Sequence, residues 1–235
     1  KALSVTGGAT FEDLVGHFRI QALGLVEGGA DYLLLETCQD TRNVKAGLAG
    51  VERAFEEAGW RLPVAVSVTI EPTGTMLAGQ DAEALAVSLL HADLLYVGVN
   101  CATGPALMAD HLRTLSSLAT CLVSVYPNAG LPDELGQYEE TPESLALKMR
   151  RFVDEGWVNL VGGCCGTTPA HTRALARLVQ GKPPRRPAER LAAAVSGIEV
   201  VYPGDDNRPL LVGERPNVIG SRKFKDLIVE DKFEE

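Results

Sequence analysis

The stretch WVNLVGGCCGTTPAH (157–171) contains an apolar run, two adjacent cysteines and the beginning of a helical pattern. Successive side chains of a regular strand point to opposite faces, so Cys164 and Cys165 can face one object only where the strand has ended and the backbone turns. The flanking residues Gly163 and Gly166 permit such a turn. This stretch therefore predicts a βα unit with two thiols at the carboxyl end of its strand.

Four more apolar segments precede this unit, and segments with helical periodicity lie between them. Strand and helix therefore alternate through five βα units, and the continuous apolar character of the strands indicates a parallel sheet that is covered on both faces. The four segments are DYLLLET from Asp31, PVAVSVTI from Pro63, DLLYVGVNC from Asp93 and CLVSVYPN from Cys121.

Both a doubly wound sheet and a (β/α)8 barrel fit this alternation of strand and helix. Polar or reactive residues follow four of the five strands, which we expect to end at Glu36, Asn100, Asn128 and Gly163. In a barrel the carboxyl ends of all strands meet at one mouth, whereas an open sheet spreads them along a crevice. The sequence therefore favours an α/β fold of the (β/α)8 TIM barrel type, with Cys121 at the opposite face.

The chain is shorter than a complete barrel followed by another segment would require. A barrel has eight strands and typically about 250 residues, and only five βα units precede the end of the pattern. We expect residues 1–181 to be the C-terminal part of a barrel whose first units lie outside this chain. Residues 182–210 are predicted to form a linker with a hairpin around Asp205 and Asp206, and residues 211–235 to begin a second domain.

The composition excludes several classes of protein. The 235 residues are 46% hydrophobic with a net charge of -9, which is typical of a globular protein with a sizeable core. Acidic residues number 31 against 22 basic ones, so the basic footprint of a nucleic-acid-binding protein is missing. No apolar stretch reaches the roughly 18 to 20 residues of a membrane span, and the first residues lack the apolar core of a signal peptide. We therefore expect a cytoplasmic protein without nucleic-acid or membrane partners.

The five cysteines are an odd number, which favours reduced thiols over a disulfide framework. Cys121 is predicted to be a buried structural thiol, and Cys38 lies on a loop where a ligand role is an open alternative. Cys101, Cys164 and Cys165 follow two strands at the same face. Three thiolates with a fourth position open match a catalytic zinc site. A vicinal disulfide or a redox pair at Cys164 and Cys165 is the competing interpretation.

Histidine-based hydrolysis has little support in the sequence. None of the histidines falls at the carboxyl end of a predicted strand, and we expect most of them on helix surfaces. They are His17, His91, His111 and His171.

Two motifs carry a family resemblance: VNCATGP (99–105) and VGGCCGTTPAH (161–171) closely resemble the homocysteine S-methyltransferase family. The segments LLLETCQDTRNVKA (33–46) and VYPNAGLPDELGQY (125–138) are similar to further parts of it, so the resemblance covers roughly residues 1–181. It implies a barrel that holds zinc through one cysteine of the first motif and the adjacent pair of the second.

The resemblance gives these residues roles in a reaction. It implies zinc ligation by Cys101, Cys164 and Cys165, and a contact of Glu36 with the amino group of homocysteine; a charge at the start of the following helix is the alternative for Glu36. At the mouth of the barrel, Asn128 is a candidate for a displaceable fourth zinc ligand. A loop amide that caps nearby backbone groups is the alternative for Asn128.

The tail VGERPNVIGSRKFKDLI (212–228) resembles the opening of the pterin-binding barrel that follows the homocysteine module in cobalamin-dependent methionine synthase. This resemblance implies that Asn217 binds pterin. It also implies that homocysteine accepts the methyl group of methylcobalamin, which methyltetrahydrofolate regenerates through other modules of the parent protein. The alternatives are a single-module homocysteine methyltransferase that uses betaine or S-methylmethionine, and a redox-responsive zinc-binding module without enzymatic activity.

Overall fold

A computed structural model describes residues 8–189, 192–210, 222–230 and 232 of the chain. It divides into two compact units, Lys1–Val201 and Tyr202–Glu235. The domain boundary expected at residue 181 stays a prediction. Among the helices described, none is long and apolar enough to cross a bilayer.

The first unit contains a sheet of five parallel strands, and every predicted strand is present. Each strand pairs with its neighbour in sequence, without the reversal of strand order that defines a doubly wound sheet. This is the winding of a (β/α)8 barrel, so the α/β fold with a partial barrel is confirmed. The strands are β1 (Leu33–Cys38), β2 (Val64–Val68), β3 (Tyr96–Asn100), β4 (Leu122–Tyr126) and β5 (Leu160–Val161).

Helices cover one face of this sheet; four of them connect consecutive strands and one follows the last strand, as predicted. The first helix has no counterpart among the predicted elements. It begins after Thr10, whose hydroxyl accepts a hydrogen bond from the Asp13 backbone N–H in a capping box. The helices are α1 (Phe11–Glu27), α2 (Thr41–Ala58), α3 (Ala82–Ser88), α4 (Pro105–Leu118), α5 (Pro142–Asp154) and α6 (Pro169–Val179).

The two faces of the sheet differ in composition. Alternate residues of β2 to β4, such as Val66 and Val97, belong to the apolar core between sheet and helices. On the other face the register aligns Ser67, Gly98 and Ser124, all of which are small. A Cβ atom at position 98 would lie 1.9 Å from the hydroxyl oxygen of Ser124, so only glycine fits there. At this level of the sheet the second face therefore carries small side chains, two of which are hydroxyl groups.

Residues just after α6 pack against the amino edge of the sheet. Arg185 is buried, and its guanidinium donates hydrogen bonds to the backbone oxygens of Ser116, Ala119 and Cys121. Two of these oxygens belong to the end of α4, whose carbonyl groups favour a nearby cation. Cys121 directly precedes β4 and so lies at the amino edge, as predicted.

The described hairpin precedes the one expected around Asp205 and Asp206, which stays a prediction because its second strand would reach beyond residue 210, outside the described residues. The two short antiparallel strands are β6 (Val195–Ser196) and β7 (Val200–Val201), so the turn lies before the predicted one. The hydroxyl of Ser196 donates to the Ala84 backbone oxygen of α3, which is a long-range contact that local turn chemistry does not reveal.

In the second unit, the predicted turn residues form a short 3-10 helix at Asp205–Asn207. The side chain of Asn207 accepts from the Gly204 N–H and donates to the Tyr202 oxygen, so this turn closes on itself. The predicted helix start in the tail is present as α7 (Arg222–Val229), which has no buried residue. The predicted first strand of a second barrel falls on residues 211–221, outside the described residues.

Candidate metal centre and substrate site

The predicted site residues lie at one edge of the sheet, although three strand ends differ from the prediction. β3 ends at Asn100 as expected. β1 continues to Cys38 through a register shift, β4 stops at Tyr126 because Pro127 has no N–H to donate, and β5 stops before the glycines that follow Val161.

Three cysteines converge at this edge. The sulfur atoms of Cys101, Cys164 and Cys165 all lie within 4.8 Å of one another. The distance from Sγ of Cys165 is 3.7 Å to Cys101 and 3.9 Å to Cys164. All three are free thiols, so the vicinal disulfide is not formed in this structure. Among the described residues, no other group of His, Cys, Asp and Glu side chains has this metal-ligand arrangement.

Backbone geometry aims these sulfurs at one point. Cys101 has a φ of 60° and Ala102 a φ of 54°, which are left-handed values that non-glycine residues adopt at a cost of about 1 to 3 kcal/mol. The turn is held because the Cys101 N–H donates to the Tyr126 oxygen. Likewise the Cys164 N–H donates to the Pro127 oxygen, so β4 positions both cysteine loops.

Burial and neighbouring groups raise the pKa of one thiol of the cluster. Burial first, and then the neighbouring groups Cys101 and Cys165, raise the pKa of Cys164 to about 11. A hydrogen bond from the side chain of Asn100 acts in the opposite direction on this pKa. Two negative sulfurs this close repel each other unless a cation lies between them. The arrangement is therefore one that a divalent soft metal ion would stabilise.

Asn128 is buried beside the cluster. Its Oδ1 accepts a hydrogen bond from the Cys165 backbone N–H at 3.1 Å. This contact is the one expected from a loop amide that caps backbone groups, and it favours that alternative in the metal-free structure. The role of displaceable metal ligand stays a prediction.

Asn100 and Thr37 also form part of the site, although the sequence did not identify them as functional residues. The Asn100 amide accepts from the hydroxyl of Ser67 at 2.6 Å and donates to the hydroxyl of Thr37 at 2.8 Å. Its Nδ2 also lies 3.9 Å from Sγ of Cys164. The available signal was a polar residue inside each of two apolar strands, because buried polar side chains need partners.

Glu36 lies at the same edge of the sheet but is exposed. It lines a cavity of about 760 Å³ beside β1, together with Thr37, Asn43 and Leu77. None of the three clustered cysteines lines this cavity. The connection from Glu36 to the cysteines runs through the backbone to Thr37 and then through Asn100.

Cys38 is separate from the cysteine cluster. It packs against the apolar core, and its Sγ lies 3.9 Å from the Glu36 backbone oxygen. Burial, and then the charge of Glu36, raise the pKa of Cys38 to about 11. The structure gives a ligand role of Cys38 no support.

Three of the four histidines are at least partly exposed, as expected, and one is buried. His17 and His91 are exposed and His111 is half-buried. His171 is instead buried: its Nδ1 contacts Thr168 at the start of α6, and its Nε2 lies 2.8 Å from the backbone oxygen of Glu140. It therefore ties the loop after β4 to the helix after the cysteine pair.

Tyr138 is a second residue that sequence reasoning missed. Tyr138 interacts with Cys165: burial, followed by the charge of that thiol, raises the pKa of Tyr138. Gly166 has a φ of 77°, and a Cβ atom there would lie 2.2 Å from Cγ of Tyr138. The tyrosine ring thus lies directly on the turn that follows the cysteine pair. Asn217 lies outside the described residues.

Solved structures share this fold. The apo form of the homocysteine methyltransferase MmuM from Escherichia coli matches with a TM-score of 0.56 and 21% identity, over 74% of this chain and 60% of that chain. The metallated form of the same enzyme matches with a TM-score of 0.56 and 24% identity, over 73% of this chain and 54% of that chain. The chain thus spans little more than half the length of these relatives.

A family model described as homocysteine S-methyltransferase matches residues 2–179. The matched region includes all five parallel strands and the three clustered cysteines. The chain therefore belongs to the homocysteine S-methyltransferase family.

Proposed function

We propose that this chain binds zinc through Cys101, Cys164 and Cys165 and activates the thiol of homocysteine as the acceptor in methyl transfer. The observation that carries this proposal is the spacing of the three sulfurs. A tetrahedral site with Zn–S distances of about 2.3 Å requires sulfur atoms about 3.8 Å apart. Two of the three separations, 3.7 Å and 3.9 Å, fit this requirement, and the third lies within 4.8 Å.

The ligand set suits activation of a thiol. When bound, zinc lowers the pKa of a coordinated thiol so that it is deprotonated at neutral pH. A free thiol with a pKa near 8.5 is only about 3% ionised at pH 7. Three cysteine thiolates and one substrate thiolate around Zn²⁺ give a formal charge of 2 − 4 = −2, which leaves electron density on sulfur. A ligand set of histidines would suit water activation better.

Two other residues of the carboxyl edge are assigned to substrate binding and to the substrate-free state of the metal site. Glu36 binds the ammonium group of homocysteine through a charge-assisted hydrogen bond. Asn128 lies beside Cys165 and is a candidate to turn its amide oxygen to the metal when no substrate thiol is present. Its present contact with the Cys165 N–H would then be broken.

The methyl donor is proposed on the resemblance of the tail. In the methionine synthase assignment, another module would hold cobalamin, which would supply the methyl group, and the cysteine cluster and Glu36 of this chain would hold the homocysteine that accepts it. Methyltetrahydrofolate then restores the methyl group. The single-module alternative uses betaine or S-methylmethionine as donor, and the fold shared with MmuM, a homocysteine methyltransferase, fits both alternatives.

Cobalt substitution tests the proposal. Titration of the full chain with Co²⁺ should give an intense thiolate-to-cobalt absorption band at one equivalent, and homocysteine should increase that band because it adds a sulfur ligand. Cys101→Ser should weaken the band strongly. Cys121→Ser is the matched control, since this thiol lies at the other edge, and it should leave the spectrum unchanged.

If homocysteine leaves the thiolate-to-cobalt band unchanged, the result would favour the redox-responsive zinc-binding module over the enzyme. The absence of any band in the wild-type chain would contradict the proposed metal site. Methyl transfer to homocysteine from each of the three donors then identifies the reaction.

A further inference from the structure

One buried amide touches three separate parts of the site. Asn100, at the end of β3, is 1% exposed. Its Oδ1 accepts from Ser67 of β2, and its Nδ2 donates to Thr37 of β1. The same Nδ2 lies 3.9 Å from Sγ of Cys164, in the loop after β5. An amide nitrogen carries two hydrogens, so it can serve Thr37 and Cys164 together.

The orientation of this amide follows from its surroundings. The opposite orientation would place Oδ1 against the Cys164 sulfur, where two electron-rich atoms would repel each other once the thiol is ionised. The hydroxyl of Ser67 lies only 2.6 Å from Oδ1 and supplies a donor for it. Because a hydroxyl can donate or accept, Ser67 suits this orientation, and the contact with the sulfur is what selects it.

Thr37 depends on this amide for its conformation. Its φ is 56°, and a β-branched residue in the left-handed region is strained by about 1 to 3 kcal/mol. The hydrogen bond from Asn100 to the Thr37 hydroxyl helps to hold this conformation. Thr37 directly follows Glu36 in β1, so the backbone direction at Glu36 depends on the same hydrogen bond.

We propose that Asn100 is a positioning residue that couples the Glu36 end of β1 to the metal-binding sulfur of Cys164. This inference rests on the proposed function, in which Cys164 binds the metal and Glu36 binds the substrate. The N–H directed at Sγ orients Cys164 and withdraws charge from its thiolate. The N–H directed at Thr37 fixes the position from which Glu36 meets the substrate. One side chain therefore sets the distance between substrate ammonium and metal.

Two near-isosteric variants separate the two bonds. In Asn100→Asp the carboxylate can still accept from Ser67 and Thr37, but the donor to Cys164 is replaced by a negative charge. In Thr37→Val the hydroxyl is lost, while the amide can still face Cys164. Thr69→Val is the matched control, because the Thr69 hydroxyl donates to the backbone oxygen of Asn100 and not to its side chain.

The readouts are the Co²⁺ affinity and absorption spectrum of the full chain, followed by homocysteine titration. Asn100→Asp should weaken metal binding by about 10- to 100-fold, as loss of an outer-shell partner does, and should shift the thiolate-to-cobalt band. Thr37→Val should keep the substrate-free spectrum and weaken homocysteine binding by about fivefold, which corresponds to one hydrogen bond. Thr69→Val should change neither. Thermal melts establish that each variant is folded.

The outcomes separate this inference from the proposed function. A wild-type chain without a thiolate-to-cobalt band contradicts the proposed function and the coupling with it. A normal wild-type band, together with an unaltered spectrum and affinity in folded Asn100→Asp, overturns the role of Asn100 alone. If Asn100→Asp does not fold, Thr37→Val decides: unchanged homocysteine binding, or an effect equal to that of Thr69→Val, overturns the coupling.

Discussion

At the carboxyl edge of the sheet three cysteine sulfurs lie within 4.8 Å of one another, whereas at the amino edge Cys121 packs against the apolar core. The backbone differs in the same way. Thr37, Cys101 and Ala102 at the carboxyl edge adopt left-handed conformations, while at the amino edge Arg185 caps the carbonyl groups that end α4. The carboxyl edge contains strained backbone and the three clustered free thiols, whereas at the amino edge Arg185 donates hydrogen bonds to carbonyl groups. Cys38 lies at the carboxyl edge as well but packs against the apolar core, so the convergence of the loops after β3 and β5, and not burial, distinguishes the clustered cysteines.

The amino edge should govern stability without affecting the metal site. Arg185→Ala removes the donors to three buried carbonyl groups, and we expect a loss of about 3 kcal/mol in the free energy of unfolding, since one such unsatisfied group costs about 1 to 3 kcal/mol. Urea denaturation of the metal-free chain measures it, with exposed Arg186→Ala as the control. Co²⁺ affinity of the folded Arg185→Ala protein should equal that of wild type. A change in both quantities would contradict the separation of the two edges.

The carboxyl edge should respond strongly to pH. Zinc binds the thiolate, so a proton competes with it for the sulfur, and affinity rises with pH. The pKa of Cys164 is raised to about 11, so this thiol is protonated at neutral pH in the metal-free chain. Its deprotonation alone predicts about a tenfold rise in zinc affinity per pH unit below that pKa, or about 1.4 kcal/mol.

Chelator competition between about pH 6 and pH 8 measures this slope, with the pH dependence of the chelator accounted for. Cys121→Ser should leave the slope unchanged, since Cys121 lies at the amino edge and is not one of the proposed metal ligands. An affinity independent of pH would mean that the cysteines are not the ligands.

A smaller effect concerns the turn after the cysteine pair. Gly166 and Gly181 both have positive φ, but a Cβ atom would strike the Tyr138 ring only at position 166, and at position 181 it would meet open space. Gly181→Ala should cost about 1 kcal/mol from backbone strain. Gly166→Ala should cost about 1 to 3 kcal/mol more from overpacking and should weaken Co²⁺ binding. Tyr138→Ala in the Gly166→Ala background should recover part of both losses; equal effects at the two glycines would refute the contact.

The strands and their common edge were predictable because the signal is local. Apolar runs of β-branched residues, such as Val64–Val68, define each strand, and the polar residues that follow mark its carboxyl end. The adjacent cysteines predicted a turn, since they cannot face one point within a strand. The grouping of Cys101 with Cys164 and Cys165 then follows from parallel strand direction alone.

Elements that depend on distant contacts were not predictable. Helix α1 contains Gly16 and Gly24, which weaken its helical signal, and it is stabilised by close packing on α2, where a Cβ atom at Gly50 would lie 2.6 Å from the Val15 oxygen. The hydrogen bond from Ser196 of the hairpin to Ala84 of α3 joins residues 112 positions apart in the sequence. The role of Asn100 requires three strands to be brought together, and no sequence spacing encodes that.

X-ray absorption at the zinc edge tests the central claim most directly, because it counts the sulfur atoms bound to the metal. The account predicts three sulfurs at about 2.3 Å and one lighter atom in the zinc-loaded chain without substrate, and four sulfurs after homocysteine is added. Fewer than three sulfurs without substrate, or a sulfur count that homocysteine leaves unchanged, would contradict it.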